Sequence, residues 1–139
     1  MALTAAERIS MLEEPVIANL SVDSGSARGP VCTPMWYRYD PEEKHVQFIT
    51  ENSARKVELL RKSGRATLLV QRADPTYRYA TVEGPVSFSP ASSELLLRIA
   101  LRYLPRDRAE AYVRDSPVDT YSTVTLTPER WTGADLGEF

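Results

Sequence analysis

The residues best suited to bind a ligand lie where a β-rich run ends and a helix begins. Thr50 and Ser53 supply hydroxyls, and Arg55 and Lys56 fall in what the pattern predicts to be the first helical turn. Cations at this end of a helix dipole cost up to about 1 kcal/mol each. A bound anion would turn this cost into a favourable interaction, because hydroxyls, free N–H groups, a guanidinium and an ammonium converge on it. The four residues are consistent with a phosphate site; the alternative is a solvated helix start with Ser53 as the N-cap.

The chain has a single histidine, His45, and a single cysteine, Cys32, which limits the catalytic groups that its side chains can supply. This count excludes an internal disulfide, a thiolate zinc site and His-pair metal motifs, so we predict no metal site. His45 lies in an alternating strand pattern after a turn, where a structural or merely exposed role is expected. We therefore predict no catalytic acid, base or nucleophile from the chain, and redox chemistry would have to come from a cofactor.

Length and composition predict a single domain over 1–139. Apolar residues make up 42% and charged residues 26%, which are globular values. The 17 basic and 19 acidic residues give a net charge of −2, and no Lys/Arg tract exceeds two, so a nucleic-acid partner is not expected. Apolar runs are too short to span a bilayer, and the polar start does not resemble a secretory signal. A reducing cytoplasm fits the cysteine usage.

Short strands alternate with helices and turns along the chain. A capping box at Thr4 and Glu7 opens a helix that Pro15 ends, and Gly64 is placed to cap a second helix. Gly84 marks a bend in a long strand, and a tail containing Trp131 and Phe139 follows Pro128. The predicted strands are 16–22, 30–39, 45–50, 65–71, 77–88 and 121–127, and the later predicted helices are 53–62, 92–103 and 107–114. Successive hairpins predict a mainly β fold with peripheral helices, a six-stranded antiparallel sheet closed as a small barrel.

Four segments, in this order, resemble one known family. They are Thr33-Pro34-Met35-Trp36-Tyr37, Phe48-Ile49-Thr50 leading to Ser53-Ala54-Arg55-Lys56, Gly64-Arg65-Ala66-Thr67-Leu68-Leu69-Val70, and Tyr77-Arg78-Tyr79-Ala80-Thr81-Val82-Glu83-Gly84. Together they resemble the FMN-binding split-barrel superfamily of pyridoxamine 5′-phosphate oxidases. Within it, the chain is most similar to the small reductases that use the deazaflavin F420 in place of FMN. Ala54 stands where many vitamin B6 oxidases have Ser, so vitamin B6 oxidation is not expected.

The resemblance implies a homodimer with F420 or FMN at the interface between its subunits. The residues that it places on the cofactor phosphate are Thr50, Arg55 and Lys56, and the hydroxyl at the predicted helix start adds Ser53 to this set. The residues that it places along the ring are Thr33, Pro34, Met35 and Trp36, with Gln71 in reach of the ring edge. It implies an oxidoreductase that transfers hydride to a small unsaturated or heterocyclic substrate. The alternative is a protein that binds a flavin, F420 or haem without turnover, for carriage or storage.

Three further features have two interpretations each. Arg78 alternates with two tyrosines on a strand and either contacts an anionic cofactor tail or is solvated. The aromatic run around Trp36 could be a stacking platform for single-stranded nucleic acid, but core and ring packing are favoured because few cations interleave with it. Trp131 either covers a neighbouring subunit's ring or closes the end of the barrel.

Overall fold

A computed structural model describes residues 1–137, so Phe139 lies outside the described residues. The elements, in chain order, are α1 (Ala5–Glu13), β1 (Ala18–Val22), β2 (Val31–Met35), β3 (Arg38–Asp40), β4 (His45–Glu51), α2 (Arg55–Ser63), β5 (Arg65–Arg72), β6 (Tyr77–Pro90), α3 (Ser93–Ala100), α4 (Arg106–Arg114), a 3-10 turn (Val118–Thr120), β7 (Tyr121–Leu126) and β8 (Arg130–Gly137). Among residues 1–137, no helix is long and apolar enough to cross a membrane.

The strands form one curled antiparallel sheet with the order β2-β1-β5-β6-β7-β4-β3, and β8 pairs with β6. The architecture is a split barrel, as predicted, but the described residues contain eight strands and not six. The predicted strand 30–39 is two strands, because β2 pairs with β1 and β3 pairs with β4. The prediction of a tail after Pro128 is also wrong, because these residues form β8 and pair with β6. The segment is rich in small residues, and its local pattern did not indicate a strand.

Gly84 lies where β6 changes its partner strand. Glu83 pairs with Arg130 of β8, and Val86 pairs with Leu126 of β7. The connection between β7 and β8 crosses the strand at this point, and a Cβ on Gly84 would lie 1.9 Å from the Thr127 carbonyl oxygen. Only glycine fits so close an approach of two backbones. The bend that the sequence predicts at Gly84 is therefore the point where β6 is shared between the two parts of the sheet.

α1 is joined to the barrel through its C-terminal end. Its capping box is present: the Glu7 N–H donates to the Thr4 hydroxyl at 3.2 Å, and the Thr4 N–H donates to the Glu7 carboxylate at 2.9 Å. The fully buried Tyr37 hydroxyl donates to the Leu12 carbonyl at 2.7 Å. Burial raises the pKa of Tyr37, so its hydroxyl remains a donor. This bond fixes the β2–β3 connection, which carries the predicted ring-binding segment, against α1.

The barrel interior is filled by alternating residues of the strands, as the predicted periodicity requires. In β5, Leu68 and Val70 are fully buried, and in β4 so are Val46 and Phe48. α3 ends at Ala100, three residues before its predicted end. Helical spacing predicts that Leu96, Ile99, Ala100 and Tyr103 are buried, and the first three are, but Tyr103 lies beyond the helix and is half-buried.

Candidate functional site

α2 begins at Arg55, two residues later than the sequence predicted. Its N-cap is Ala54, which has no side chain able to accept a hydrogen bond, and no side-chain cap is present. Ser53 is exposed and does not cap the helix. The interpretation of Ser53 as the N-cap is therefore wrong, because the turn that the Ala54 N–H makes with the Glu51 carbonyl, at 3.1 Å, delays the helix. The first turn keeps free N–H groups beside Lys56.

Thr50 and Lys56 line one cavity of about 320 Å³ beside that first turn. Only 6% of Thr50 is exposed, and its hydroxyl has no hydrogen-bond partner among residues 1–137. Lys56 is half-buried and forms no ion pair within the same range. Glu51 also borders the cavity, so the positive charge of the Lys56 ammonium is partly offset there by the Glu51 carboxylate. A hydroxyl and an ammonium without partners suit a single phosphate group. We call this space the anion cavity.

Arg55 lies on a different cavity, of about 440 Å³, formed with the β1–β2 loop. That loop contributes Ser26 and Arg28 to the lining. Neighbouring residues of an α-helix project about 100° apart, so Arg55 and Lys56 leave the helix in different directions. Thr50 and Lys56 thus line one cavity, Arg55 lines another, and Ser53 lines neither.

An apolar cavity of about 250 Å³ adjoins the anion cavity. The residues that the resemblance placed along a cofactor ring contribute one wall, and β4, α3 and α4 contribute the rest. The lining is Pro34, Met35, Trp36, Ile49, Leu96, Ile99 and Tyr112. Two of these, Ile49 and Tyr112, also line the anion cavity. We call this apolar space the ring cavity, and it shares a wall with the anion cavity.

Trp36 is held in the ring cavity by two tyrosines. Its ring stacks on Tyr103 at a centroid distance of 4.8 Å and an interplanar angle of 11°, and it meets Tyr112 at 5.6 Å and 52°. Tyr103 is fixed by its hydroxyl, which donates to the Val16 carbonyl at 3.0 Å. Burial raises the pKa of Tyr112, and the nearby Tyr121 and Glu51 raise it further. The ring cavity is therefore walled by aromatic side chains that remain neutral.

Two predicted site residues lie outside both cavities. Thr33 is half-buried in β2 opposite Leu20, and Gln71 is exposed at the end of β5 opposite Tyr79. Neither lines the anion cavity or the ring cavity. Sequence reasoning conversely missed Tyr112, because only the packing of α4 against α3 brings it to the site. Helical spacing predicted Leu96 and Ile99 of α3 to be core residues. Both are buried, and both also line the ring cavity.

Three other candidate residues, Arg78, Trp131 and His45, lie outside both cavities. The Arg78 Nε donates to the Asp135 carboxylate at 2.9 Å, and Arg78 also pairs with Glu7 at 3.3 Å. Trp131 is half-buried against the core of its own barrel. His45 is half-buried opposite Asp40 in the β3–β4 pair. These groups lie among intramolecular contacts, and none of them lines the anion cavity or the ring cavity.

Comparison with known proteins finds similarity in structure alone. No family model matches the chain, and no curated protein matches it in sequence. A conserved hypothetical protein of Mycobacterium tuberculosis superposes with a TM-score of 0.76 at 21% identity, covering 96% of this chain and 85% of that one. An F420 reductase superposes with a TM-score of 0.73 at 20% identity, covering 88% and 93%.

A third structure, from Listeria innocua, is described provisionally as a pyridoxamine 5′-phosphate oxidase. It superposes with a TM-score of 0.69 at 14% identity, covering 94% of this chain and 96% of that one. Identities this low establish the fold and nothing finer. The chain has the split-barrel fold that these structures share, which is the fold that its sequence motifs predicted.

Proposed function

We propose that this protein is an oxidoreductase that binds F420 or FMN and transfers hydride to a small unsaturated or heterocyclic substrate. One observation carries the proposal: an apolar, aromatic cavity and a cavity with an unpaired ammonium share the wall formed by Ile49 and Tyr112. A flavin-type cofactor has a flat ring system at one end and a phosphate further along. The two adjoining cavities match those two chemistries.

The phosphate end would be held by Thr50 and Lys56. Thr50 is nearly buried as a residue and its hydroxyl lacks a partner among residues 1–137, so a phosphate oxygen in the cavity could hydrogen-bond with it. The Lys56 ammonium would add a charge-assisted hydrogen bond, which contributes about 1.5–3 kcal/mol. The uncapped first turn of α2 favours the same anion.

The ring end would lie against Pro34, Met35 and Trp36. Apolar neighbours from α3 exclude water, and Trp36 is already held in place by Tyr103, so ordering it on binding costs little entropy. The cofactor, when bound, supplies the hydride chemistry. The chain's own residues then orient the ring, keep water away and limit which substrate can approach it. No side chain lining the two cavities is assigned as an acid or base.

The binding part of the proposal is tested by titrating the protein with F420 and with FMN. Lys56→Ala should weaken the binding of whichever cofactor binds by about 10- to 100-fold, the value of one charge-assisted bond. The matched control is Lys62→Ala, which removes an exposed lysine from the last turn of the same helix. Equal affinities for the two variants, or no binding of either cofactor to the wild-type protein, would refute this site.

Turnover separates the enzyme from a carrier. A protein that stores or carries a flavin, F420 or haem needs the same two cavities and equally needs no acid or base. The loaded protein in its reduced state should be reoxidised by at least one member of a panel of enones, quinones and tetrapyrroles. Tight binding without reoxidation by any of them would favour the carrier.

The proposal includes a homodimer with the cofactor at its interface. Tyr112, on the wall that both cavities share, is 41% exposed, and Ile17 of the segment before β1 is 53% exposed. Such apolar surface favours association with a second copy. Light scattering should therefore give twice the chain mass of 15.6 kDa. A stable monomer at micromolar concentration would contradict the shared site.

A further inference from the structure

A fourth cavity lies between α1, the β3–β4 turn and the start of β8. Its volume is about 220 Å³, and it is walled by Arg8, Ile9, Tyr39, Lys44, Pro128 and Trp131. It shares no lining residue with the anion cavity or the ring cavity. We call it the α1 cavity, and the proposed function does not use it.

Two cations border the α1 cavity without an anionic partner. Arg8 and Lys44 form no ion pair among residues 1–137, and no acidic residue lines the cavity. The Nε of Arg8 is buried and has no hydrogen-bond partner. Leaving a buried donor unsatisfied costs about 1–3 kcal/mol. A bound anion would not reach that buried atom, but it would neutralise the charge that the Arg8 guanidinium carries, which water cannot do.

The backbone around the two cations constrains them to different degrees. The Arg8 stem packs on Gly133, where an added Cβ would lie 3.3 Å from the Arg8 Cγ. The Arg8 guanidinium lies 5.9 Å from the centroid of the Trp131 ring, within cation–π distance. Lys44 has a φ of 57° in the turn between β3 and β4, which fixes where its side chain leaves the chain. The Arg8 guanidinium is therefore positioned before any ligand arrives, whereas Lys44 is exposed and only its point of departure from the turn is fixed.

The remaining walls are aromatic and apolar. Tyr39 is 5% exposed and meets Trp131 edge to face, with centroids 6.5 Å apart. Burial, together with Glu13 and Asp40, raises the pKa of Tyr39, so its hydroxyl remains a donor at neutral pH, and it has no partner among residues 1–137. Pockets for drug-sized ligands measure roughly 300–1,000 Å³, so this cavity suits a smaller molecule.

We propose that the α1 cavity is a binding site for a small aromatic carboxylate. The carboxylate lies between Arg8 and Lys44, where the positioned guanidinium and the exposed ammonium can each donate to one of its oxygens. The single ring lies against Trp131, Tyr39 and Ile9, with the Tyr39 hydroxyl available as a further donor. The site is independent of the cofactor, so it is present in the loaded and the unloaded protein.

The test uses benzoate as the probe and benzamide as its uncharged match. The chain has two tryptophans, so a Trp36→Phe protein reports from Trp131 alone. Benzoate should change that fluorescence saturably, with a dissociation constant at or below about 1 mM and at least tenfold below that of benzamide. The response should persist, with the same constant, when the protein is saturated with FMN or F420.

Variants then locate the binding. Arg8→Met keeps the stem that packs on Gly133 and should weaken benzoate binding at least tenfold. Lys44→Asn should have the same effect, and asparagine tolerates the positive φ of this position. Arg108→Met, an exposed change on α4, is the control and should leave the constant unchanged. Because Lys44 lies in an exposed turn, its variant remains informative if Arg8→Met does not fold. Equal binding of benzoate and benzamide, no saturation, competition with the cofactor, or an unaffected Lys44→Asn would each overturn the proposal.

Discussion

Trp36 and Tyr103 stack face to face, with ring centroids 4.8 Å apart and planes inclined by 11°. The pair joins the β2–β3 connection to the residues that follow α3, and it leaves the rest of the Trp36 surface to the ring cavity. Removing the Trp36 side chain should therefore alter the ring end of the proposed site while leaving the phosphate end intact.

We expect Trp36→Ala to change which substrates react, and at what rate, more than it changes cofactor affinity. The phosphate contacts at Thr50 and Lys56 remain, so the dissociation constant should move by less than about tenfold, the worth of 1.4 kcal/mol. Tyr103→Phe is the control: it keeps the stack and loses the hydroxyl bond to Val16, so stability should fall by about 1 kcal/mol with the substrate range unchanged. Steady-state kinetics on a substrate panel and urea unfolding measure the two effects. A large loss of cofactor affinity in Trp36→Ala would place the main binding energy at the ring.

Arg55 and Lys56 should differ in their effect on cofactor binding, because they line different cavities. Arg55→Ala should change FMN affinity less than threefold, whereas Lys56→Ala should cost about 10- to 100-fold. Calorimetric titration of both variants compares them directly. Equal losses would mean that the bound state brings both cations onto one phosphate, as the family resemblance implied.

Gly84→Ala should strongly destabilise the fold. Its Cβ would lie 1.9 Å from the Thr127 carbonyl oxygen, and both atoms belong to backbones that cross at the bend in β6. Overpacking commonly costs 1–3 kcal/mol, and here the backbone must shift, so we expect a loss of about 3 kcal/mol or more. Gly29→Ala, where an added Cβ meets nothing within 4 Å, is the matched control. Similar urea midpoints for the two variants would show that the crossing is looser than described.

Asp135 should contribute stability that disappears in acid. The Thr76 hydroxyl, the Gly137 N–H and the Arg78 guanidinium lower the pKa of Asp135 to about 2 from its ordinary 3.8. Since the folded-state pKa lies below the unfolded one, the contribution is complete above about pH 4 and is lost as the pH falls toward 2. The difference in unfolding free energy between wild type and Asp135→Asn should thus be constant near neutral pH and shrink over that range. Urea unfolding of both proteins over that range provides the measurement, and a difference that does not shrink would contradict the prediction.

His45→Ala and Cys32→Ser should each retain most activity. Neither residue lines the anion cavity or the ring cavity, and the hydride chemistry is assigned to the cofactor. Removing a general acid or base typically costs a hundredfold or more in rate, so the expected effect is far below about 100-fold. Turnover of the reduced cofactor provides the measurement. A hundredfold loss in His45→Ala would mean that the protein itself transfers a proton.

Much of the fold could be predicted because local chemistry dictates it. Thr4 and Glu7 form their capping box, and Gly64 ends α2 with a φ of 72°, since both depend on residues a few positions apart. Alternating apolar residues likewise predicted the strands and their buried faces. β8 was missed because its strand is specified by its partner: Trp131 lies opposite Val82, some fifty positions away in the chain, and its own segment is rich in small residues.

For the site, the types of neighbouring residues indicated which chemistry is available, and long-range packing set which of those residues share a cavity. The residue types at Thr50, Arg55 and Lys56 indicated an anion, but the start of α2 at Arg55 turns that side chain toward the β1–β2 loop and leaves Lys56 with Thr50. Tyr112 carries no local signal for a ligand, and only the packing of α4 against α3 brings it beside Trp36. Helix start and helix packing depend on turns and distant contacts, so a pattern of neighbouring residues does not encode them.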